Sequence, residues 1–368
     1  MTAISPYQLF SLIVLFQFGT TVIFGFAQGA GRDAWIAALA SALIGTMMIV
    51  GYAVIAKRNG DLSLVGWWRA RLGKWIGSAI AWLYPLLFVY DASRGISDLK
   101  FLIPLTLLPE TPPWFFTGAF TLLVVYVLYA GVEVLGRVAG ILMPILILFI
   151  VLEILLLWAS GSLHGGYLLP MLGEGAGRIA GNVWPLGVTQ TYGESLEIAV
   201  FWAMLNRKRQ LIRISAGATL FAGLFIVLFD VLAIMALGEH VFMEMMFPAF
   251  SILKLSSVAD FLENLDVFGA LYFMCTIYIK VSMHMLAAHL CIRELIGRPK
   301  SSPHLTLWLV AGSAYVAALL LENNFNAHIQ FGSKVLPSLI WVPMFIVLPG
   351  AMLVISLLAK PLGRKPAA

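Results

Sequence analysis

The sequence predicts an all-α membrane protein of about ten transmembrane helices, and three observations predict it. Apolar residues make up 61% of the 368 and charged residues 11%, against roughly 25% charged in an ordinary soluble domain. Ten stretches are long and apolar enough to cross a bilayer, which takes about 20 residues each. The Lys and Arg side chains between them gather on alternate connections. A mean hydropathy of +0.94 excludes a disordered chain and argues against a soluble enzyme, because too little polar surface remains to coat one. Ten spans also leave no room for a separate catalytic or nucleotide-binding domain. We read 1–368 as one integral-membrane domain.

Hydropathy places spans 1 to 10 at residues 7–30, 34–56, 76–103, 114–132, 138–159, 180–204, 211–237, 264–291, 304–321 and 335–358. Span 1 has no cleavable signal pattern and reads as retained. Its middle holds Phe18-Gly19-Thr20-Thr21, which weakens a helix, so the choice is between close helix packing through small residues and a broken helix. The connection 57–75 mixes basic residues with Trp67, Trp68 and Trp75, as a short interfacial helix would. Span 3 carries Asp91, Arg94 and Asp98 at i,i+3 and i,i+4 spacing, on one helical face. That is either an internal ion-pair ladder or, with Tyr90, a cavity wall. Spans 2, 4, 5, 7 and 9 rest on hydropathy alone. Span 6 holds Thr189, Gln190, Thr191, Tyr192, Glu194 and Ser195 around Gly193 at mid-span, a costly set in lipid unless it faces protein or water.

The acidic, partly apolar connection 238–263 suits a short helix over an outer vestibule or a plain interfacial loop. Span 8 contains Lys280, more than ten residues from either end, too deep to reach water and therefore in need of an acidic or carbonyl partner. Glu194, Asp91 and Glu153 are the candidates. Cys275 and Cys291 in that span lie about 24 Å apart if helical, too far for a disulfide.

With the N-terminus inside, the cytoplasmic connections and tail hold sixteen Lys and Arg and the outer ones four: Arg32, Arg178, Lys254 and Lys334. This bias supports ten spans with both termini inside and explains the net charge of +5 without nucleic acid. Five spans fall in 1–160 and five in 161–368, so halves sharing a fold are inverted in the membrane. Interruptions at matching places in spans 1 and 6 then point to a binding site at the bilayer midplane. Enzyme, cofactor and metal motifs are not expected: no Walker A, HExxH, GxSxG or CxxC occurs, and the histidines have no zinc spacing.

Ile4-Ser5-Pro6-Tyr7-Gln8-Leu9-Phe10, Phe18-Gly19-Thr20-Thr21 and Arg32-Asp33-Ala34-Trp35-Ile36 resemble the B subunits of spore germinant receptors, the GerAB family. Tyr192-Gly193-Glu194 resembles that family's Pro-Phe-Gly-Glu motif, with Thr191 and Tyr192 in place of Pro and Phe. Asp260-Phe261-Leu262-Glu263-Asn264-Leu265-Asp266 resembles its acidic entry to the eighth span. The resemblance implies the amino acid–polyamine–organocation superfamily and a LeuT-like 5+5 inverted repeat with helices 1 and 6 broken. It implies a nutrient, commonly an amino acid, bound between spans 1, 3, 6 and 8, and a place beside A and C subunits in the inner membrane of a dormant spore.

The expected site follows. Phe18, Gly19, Thr20 and Thr21 meet the ligand carboxylate through backbone amides. Gln190, Thr191, Tyr192 and Gly193 meet its ammonium through carbonyls. Tyr90, Arg94 and Ser282 shape the side-chain pocket. Glu194 and Lys280 hold the halves together. A proton-coupled permease using Glu194 and Asp91 as proton carriers, and a scaffold or ion conduit without a ligand, are the alternatives.

Overall fold

The structure is a computed structural model and describes residues 4–60, 62–106, 108–248, 251–252, 266–297, 303–321 and 324–362. The described residues are almost entirely helical, with one isolated bridge between Ile4 and Leu205. Among the described residues six helices are long and apolar enough to cross a membrane: Gln28–Arg58, Lys74–Leu105, Val132–Ala159, Lys208–Leu237, Gly269–Leu295 and Pro337–Leu358. These correspond to spans 2, 3, 5, 7, 8 and 10. Spans 1 and 4 contain the shorter apolar helices Pro6–Phe18 and Pro113–Tyr129. Span 9 is Pro303–Leu320 and span 6 is irregular.

Span 1 begins where its sequence says it should. Ser5 Oγ accepts from the Gln8 amide at 3.1 Å, Gln8 Oε1 accepts from the Ser5 amide at 2.8 Å, and Pro6 opens the first turn. The helix stops at Gly19, whose φ of +36 belongs to the region glycine enters without strain. A single turn, Thr21–Phe24, follows. The chain then turns through Gln28–Asp33 into span 2.

Span 8 is the central post. Its apolar window is 83% buried within the protein, against 17% for span 5, which sits at the periphery. Span 8 packs along span 3, span 2 along span 7, and span 1 against spans 5, 7 and 8. The helix expected in the connection 57–75 is present as Leu64–Leu72, capped by Ser63. Its tryptophans correct the expectation. Trp67 and Trp68 are each only 1% exposed, and Trp68 stacks on Tyr84 of span 3 at 6.2 Å. They face protein because the bundle presents an apolar surface there; only Trp75 is exposed.

Span 10 also differs. Its helical rise starts at Phe325 rather than 335 and continues with π-helical winding from Phe331. Asn324 caps it, accepting from the Ala327 amide at 2.8 Å. Asn326, His328 and Gln330 lower the hydropathy of this first stretch, so hydropathy alone starts the span at 335. The Asp260–Leu265 part of the acidic run lies outside the described residues.

Candidate functional site

Gly19 leaves a carbonyl free at the break of span 1, and span 8 satisfies it: Thr276 Oγ1 donates to Gly19 O at 2.7 Å. One helical turn further along span 8, Lys280 passes directly over the break. A Cβ built on Gly19 would stand 2.5 Å from Lys280 Cδ. Lys280 Nζ ends 2.6 Å from Glu194 Oε2 in span 6 and lies 5.5 Å from the Phe16 ring. The two interrupted helices also touch directly, through the hydroxyls of Thr21 and Thr191 at 2.7 Å. Gln17 donates to Ser195 at 2.8 Å and to Thr219 of span 7 at 3.0 Å. Deep in the protein, His284 Nδ1 and Glu197 Oε2 pair at 2.6 Å.

Span 6 is kinked once, at Trp184 within Val183–Gly187, where φ of −116 and ψ of 133 are extended rather than helical. On either side of the kink it stays helical, as α-helix over Ala176–Asn182, π-helical turns over Thr189–Gly193, 3-10 helix over Glu194–Ile198 and α-helix again over Ala199–Trp202. Three of its mid-span carbonyls are engaged: the Glu194 amide bonds Thr189 O and Tyr192 O, and Ser195 Oγ donates to Thr191 O at 3.0 Å. Such irregular turns mark functional places in helices. Here they set Gln190 and Glu194 on one side and Tyr192 on the other.

Between spans 1, 3, 6, 8 and 10 lies a cavity of about 490 Å³. Seven of the sequence-predicted residues line it: Thr20, Thr21, Asp91, Arg94, Gln190, Glu194 and Lys280. The other seven do not. Phe18 is buried against Phe225 and Tyr272. Gly19 is filled by the Lys280 stem, and Thr191 is bonded to Thr21. Tyr192 is buried between Gly45 of span 2 and Gly223 of span 7, edge-on to Phe26 at 5.9 Å. Gly193 abuts Phe345. Tyr90 packs into the apolar core. Ser282 is buried two residues beyond Lys280, so at about 100° per residue it points to the opposite side of span 8.

Span 10 supplies the residues that sequence reasoning missed. Trp341 Nε1 donates to Asp91 Oδ1 at 3.3 Å. His328 Nε2 pairs with Asp98 Oδ1 at 2.7 Å, and Arg94 donates to the His328 carbonyl at 3.3 Å. The three ionisable groups of span 3 thus reach across to span 10. The asparagine cap at Asn324 was the signal that could have extended that span. Among the described residues no group of three or more His, Cys, Asp or Glu side chains is placed to hold a metal ion.

At one end of the bundle, the helix Glu239–Glu244 lies over the turn between spans 1 and 2. Gln28 donates to the carbonyls of Phe242 and Met245 at 2.9 and 2.8 Å. Glu239 accepts from both Arg32 and Arg178. Partial desolvation pulls the Glu239 carboxyl upward, but the two arginine hydrogen bonds outweigh it and hold the group below its ordinary value.

Comparison with known proteins places this architecture. Residues 3–326 match the spore germination protein family. The chain belongs to that family. It is 25% identical over 362 residues to spore germination protein KB of Bacillus subtilis (strain 168), covering 98% of this chain and 96% of that one. It is 24% identical over 262 residues to spore germination protein XB of Bacillus anthracis, covering 69% and 70%.

In fold, this family member resembles solved transporters. One is Mhp1, a nucleobase-cation-symport-1 family transporter, in a closed conformation with bromovinylhydantoin bound, at a TM-score of 0.67 and 13% identity over 96% of this chain and 78% of that one. Another is MhsT in complex with L-phenylalanine, at a TM-score of 0.61 and 14% identity over 95% and 97%. The fold is thus the LeuT-like one, and the protein is an integral membrane protein of transporter architecture rather than an enzyme.

Proposed function

We propose that this chain is the ligand-sensing membrane subunit of a spore germinant receptor, binding a small amino-acid-like germinant in the cavity between spans 1, 3, 6, 8 and 10. The observation that carries the reading is the cavity of about 490 Å³ bounded by both interrupted helices, in a chain of the spore germination family. A ligand there touches Thr20 and Thr21 at the break of span 1 and Gln190 and Glu194 on span 6. Its carboxylate is directed to the break at Gly19–Thr21. Binding that favours one arrangement of spans 1 and 6 shifts the population of states, and A and C receptor subunits read that shift. The termini lie inside, in the inner membrane of the cell or spore.

A proton-coupled amino-acid permease is the second reading. The transporter fold and the buried Lys280–Glu194 and His284–Glu197 pairs favour it, since intramembrane ionisable groups often form proton relays. Purified protein in sealed proteoliposomes, given labelled amino acids with and without an inward proton gradient, separates the two. Saturable binding without accumulation supports the sensor. Gradient-driven accumulation makes the protein a permease. No binding of any amino acid overturns both.

A further inference from the structure

The acids around the cavity differ in how they are paired. Glu194 meets the Lys280 ammonium at 2.6 Å, Asp98 meets His328 at 2.7 Å, and Glu197 meets His284 at 2.6 Å. Asp91, on the cavity wall and only 4% exposed, has one neutral contact, the Trp341 indole N–H at 3.3 Å on Oδ1. Its Oδ2 is buried and bonded to nothing among the described residues. A carboxylate in that state is costly unless a cation completes it. Several backbone acceptors at the two interruptions are already engaged: Gly19 O by Thr276, Thr191 O by Ser195, and Thr189 O and Tyr192 O by the Glu194 amide.

We propose that Asp91 is the anchor for the ammonium group of the ligand, so that the cavity selects small protonated amines, with the N–H donated to Asp91 Oδ2. The proposal rests on the reading that this cavity is the ligand site. Trp341 fixes the carboxylate through Oδ1 and leaves Oδ2 for the ligand. A charge-assisted hydrogen bond is the strong kind, and a site built around a buried acceptor rejects analogues that leave it unpaired. Amino acids satisfy it, and so do simple alkylamines without a carboxylate.

The test uses the purified full chain in nanodiscs and three probes of similar size: n-butylammonium chloride, n-butyramide and sodium butyrate, at matched ionic strength. Thermal stabilisation is followed against probe concentration. The wild type is expected to respond to butylammonium, and at least tenfold more weakly to butyramide or butyrate. Asp91→Asn is expected to lose tenfold or more in apparent affinity for butylammonium, and Asp91→Glu to keep most of it. The proposal is overturned if the wild type responds equally to the amine and the amide, a comparison that needs no variant. It is overturned too if no amine stabilises the wild type, or if Asp91→Asn binds butylammonium unchanged. Gln190→Trp, which fills the cavity, separates the two levels. Binding that survives the filling removes the cavity as the site. Binding lost on filling but intact in Asp91→Asn removes only the role of Asp91.

Discussion

Lys280 Nζ lies 2.6 Å from Glu194 Oε2, so one ion pair joins the central helix of the bundle to the irregular middle of span 6. Both side chains are almost fully buried. Removing one partner of such a pair leaves an uncompensated charge and typically costs about 3–5 kcal/mol, whereas replacing both by apolar groups is often close to neutral. Glu194→Ala and Lys280→Met should each destabilise by that amount, and the double variant should recover most of the loss. Unfolding of the four proteins in nanodiscs, analysed as a double-mutant cycle, checks this. Additive losses would mean that the pair does not hold the two helices together.

Gly19 permits that pair. Its φ of +36 is strained for any other residue, by roughly 1–2 kcal/mol, and a Cβ there meets Lys280 Cδ at 2.5 Å. Gly19→Ala should therefore lose about 2 kcal/mol or more of stability and weaken ligand binding together, because displacing the Lys280 stem also moves its ammonium from Glu194. The same unfolding assay, with ligand titration on the variant, tests it. Stability equal to the wild type would show that span 1 is not held open by glycine.

Part of this was legible in the sequence and part was not. The run Gly19-Thr20-Thr21 announces a break because it weakens a helix wherever it stands. Lys280 announces a partner because a cation so deep in a span has no water to reach. The one-sided spacing of Asp91, Arg94 and Asp98 announces a polar face. The burial of the Tyr192 side chain between Gly45 and Gly223 is not legible, because the turns around it are π-helical and 3-10 and 100° per residue does not give its direction. The start of span 10 was hidden by Asn326, His328 and Gln330, polar residues that serve the interior. Trp67 and Trp68 carry the composition of an interfacial helix but are claimed by neighbouring helices, which composition does not reveal.

Tyr192 provides a prediction that separates packing from binding. Its hydroxyl is buried and bonded to nothing among the described residues, and its ring fills the space left by Gly45 and Gly223. Tyr192→Phe removes a polar group whose burial without a partner costs about 1–3 kcal/mol. It should leave ligand affinity unchanged and stability equal or higher. Gly45→Val should destabilise strongly, since the added methyls collide with the ring. A tenfold loss of affinity in Tyr192→Phe would return this residue to the binding site.

Gly332 holds the far wall of the cavity. A side chain there runs into the Arg94 guanidinium, which donates to the His328 carbonyl. Gly332→Val should displace Arg94 from span 10 and lower ligand affinity about tenfold or more, with a smaller effect on stability, because Arg94 borders the cavity. Binding isotherms of the two proteins decide it, and an unchanged affinity would exclude Arg94 from ligand contact.

Glu239 gives a pH dependence whose sign is fixed by its environment. Desolvation opposes ionisation, but hydrogen bonds from Arg32 and Arg178 prevail and depress its pKa. A carboxylate with a depressed folded pKa contributes stability above its unfolded value of about 4.3, and that contribution is lost as pH falls through the folded pKa. The helix Glu239–Glu244 should therefore stay docked at neutral pH and loosen in acid below about pH 4. Glu239→Gln should loosen it at neutral pH to about the level the wild type reaches in acid, and so flatten the acid step. Amide hydrogen exchange across residues 238–245, corrected for intrinsic rates, measures this. High salt should mimic the acid effect in part, because the cluster is partly exposed and screened. An exchange profile that is flat with pH in the wild type would show that the arginine contacts do not secure this helix.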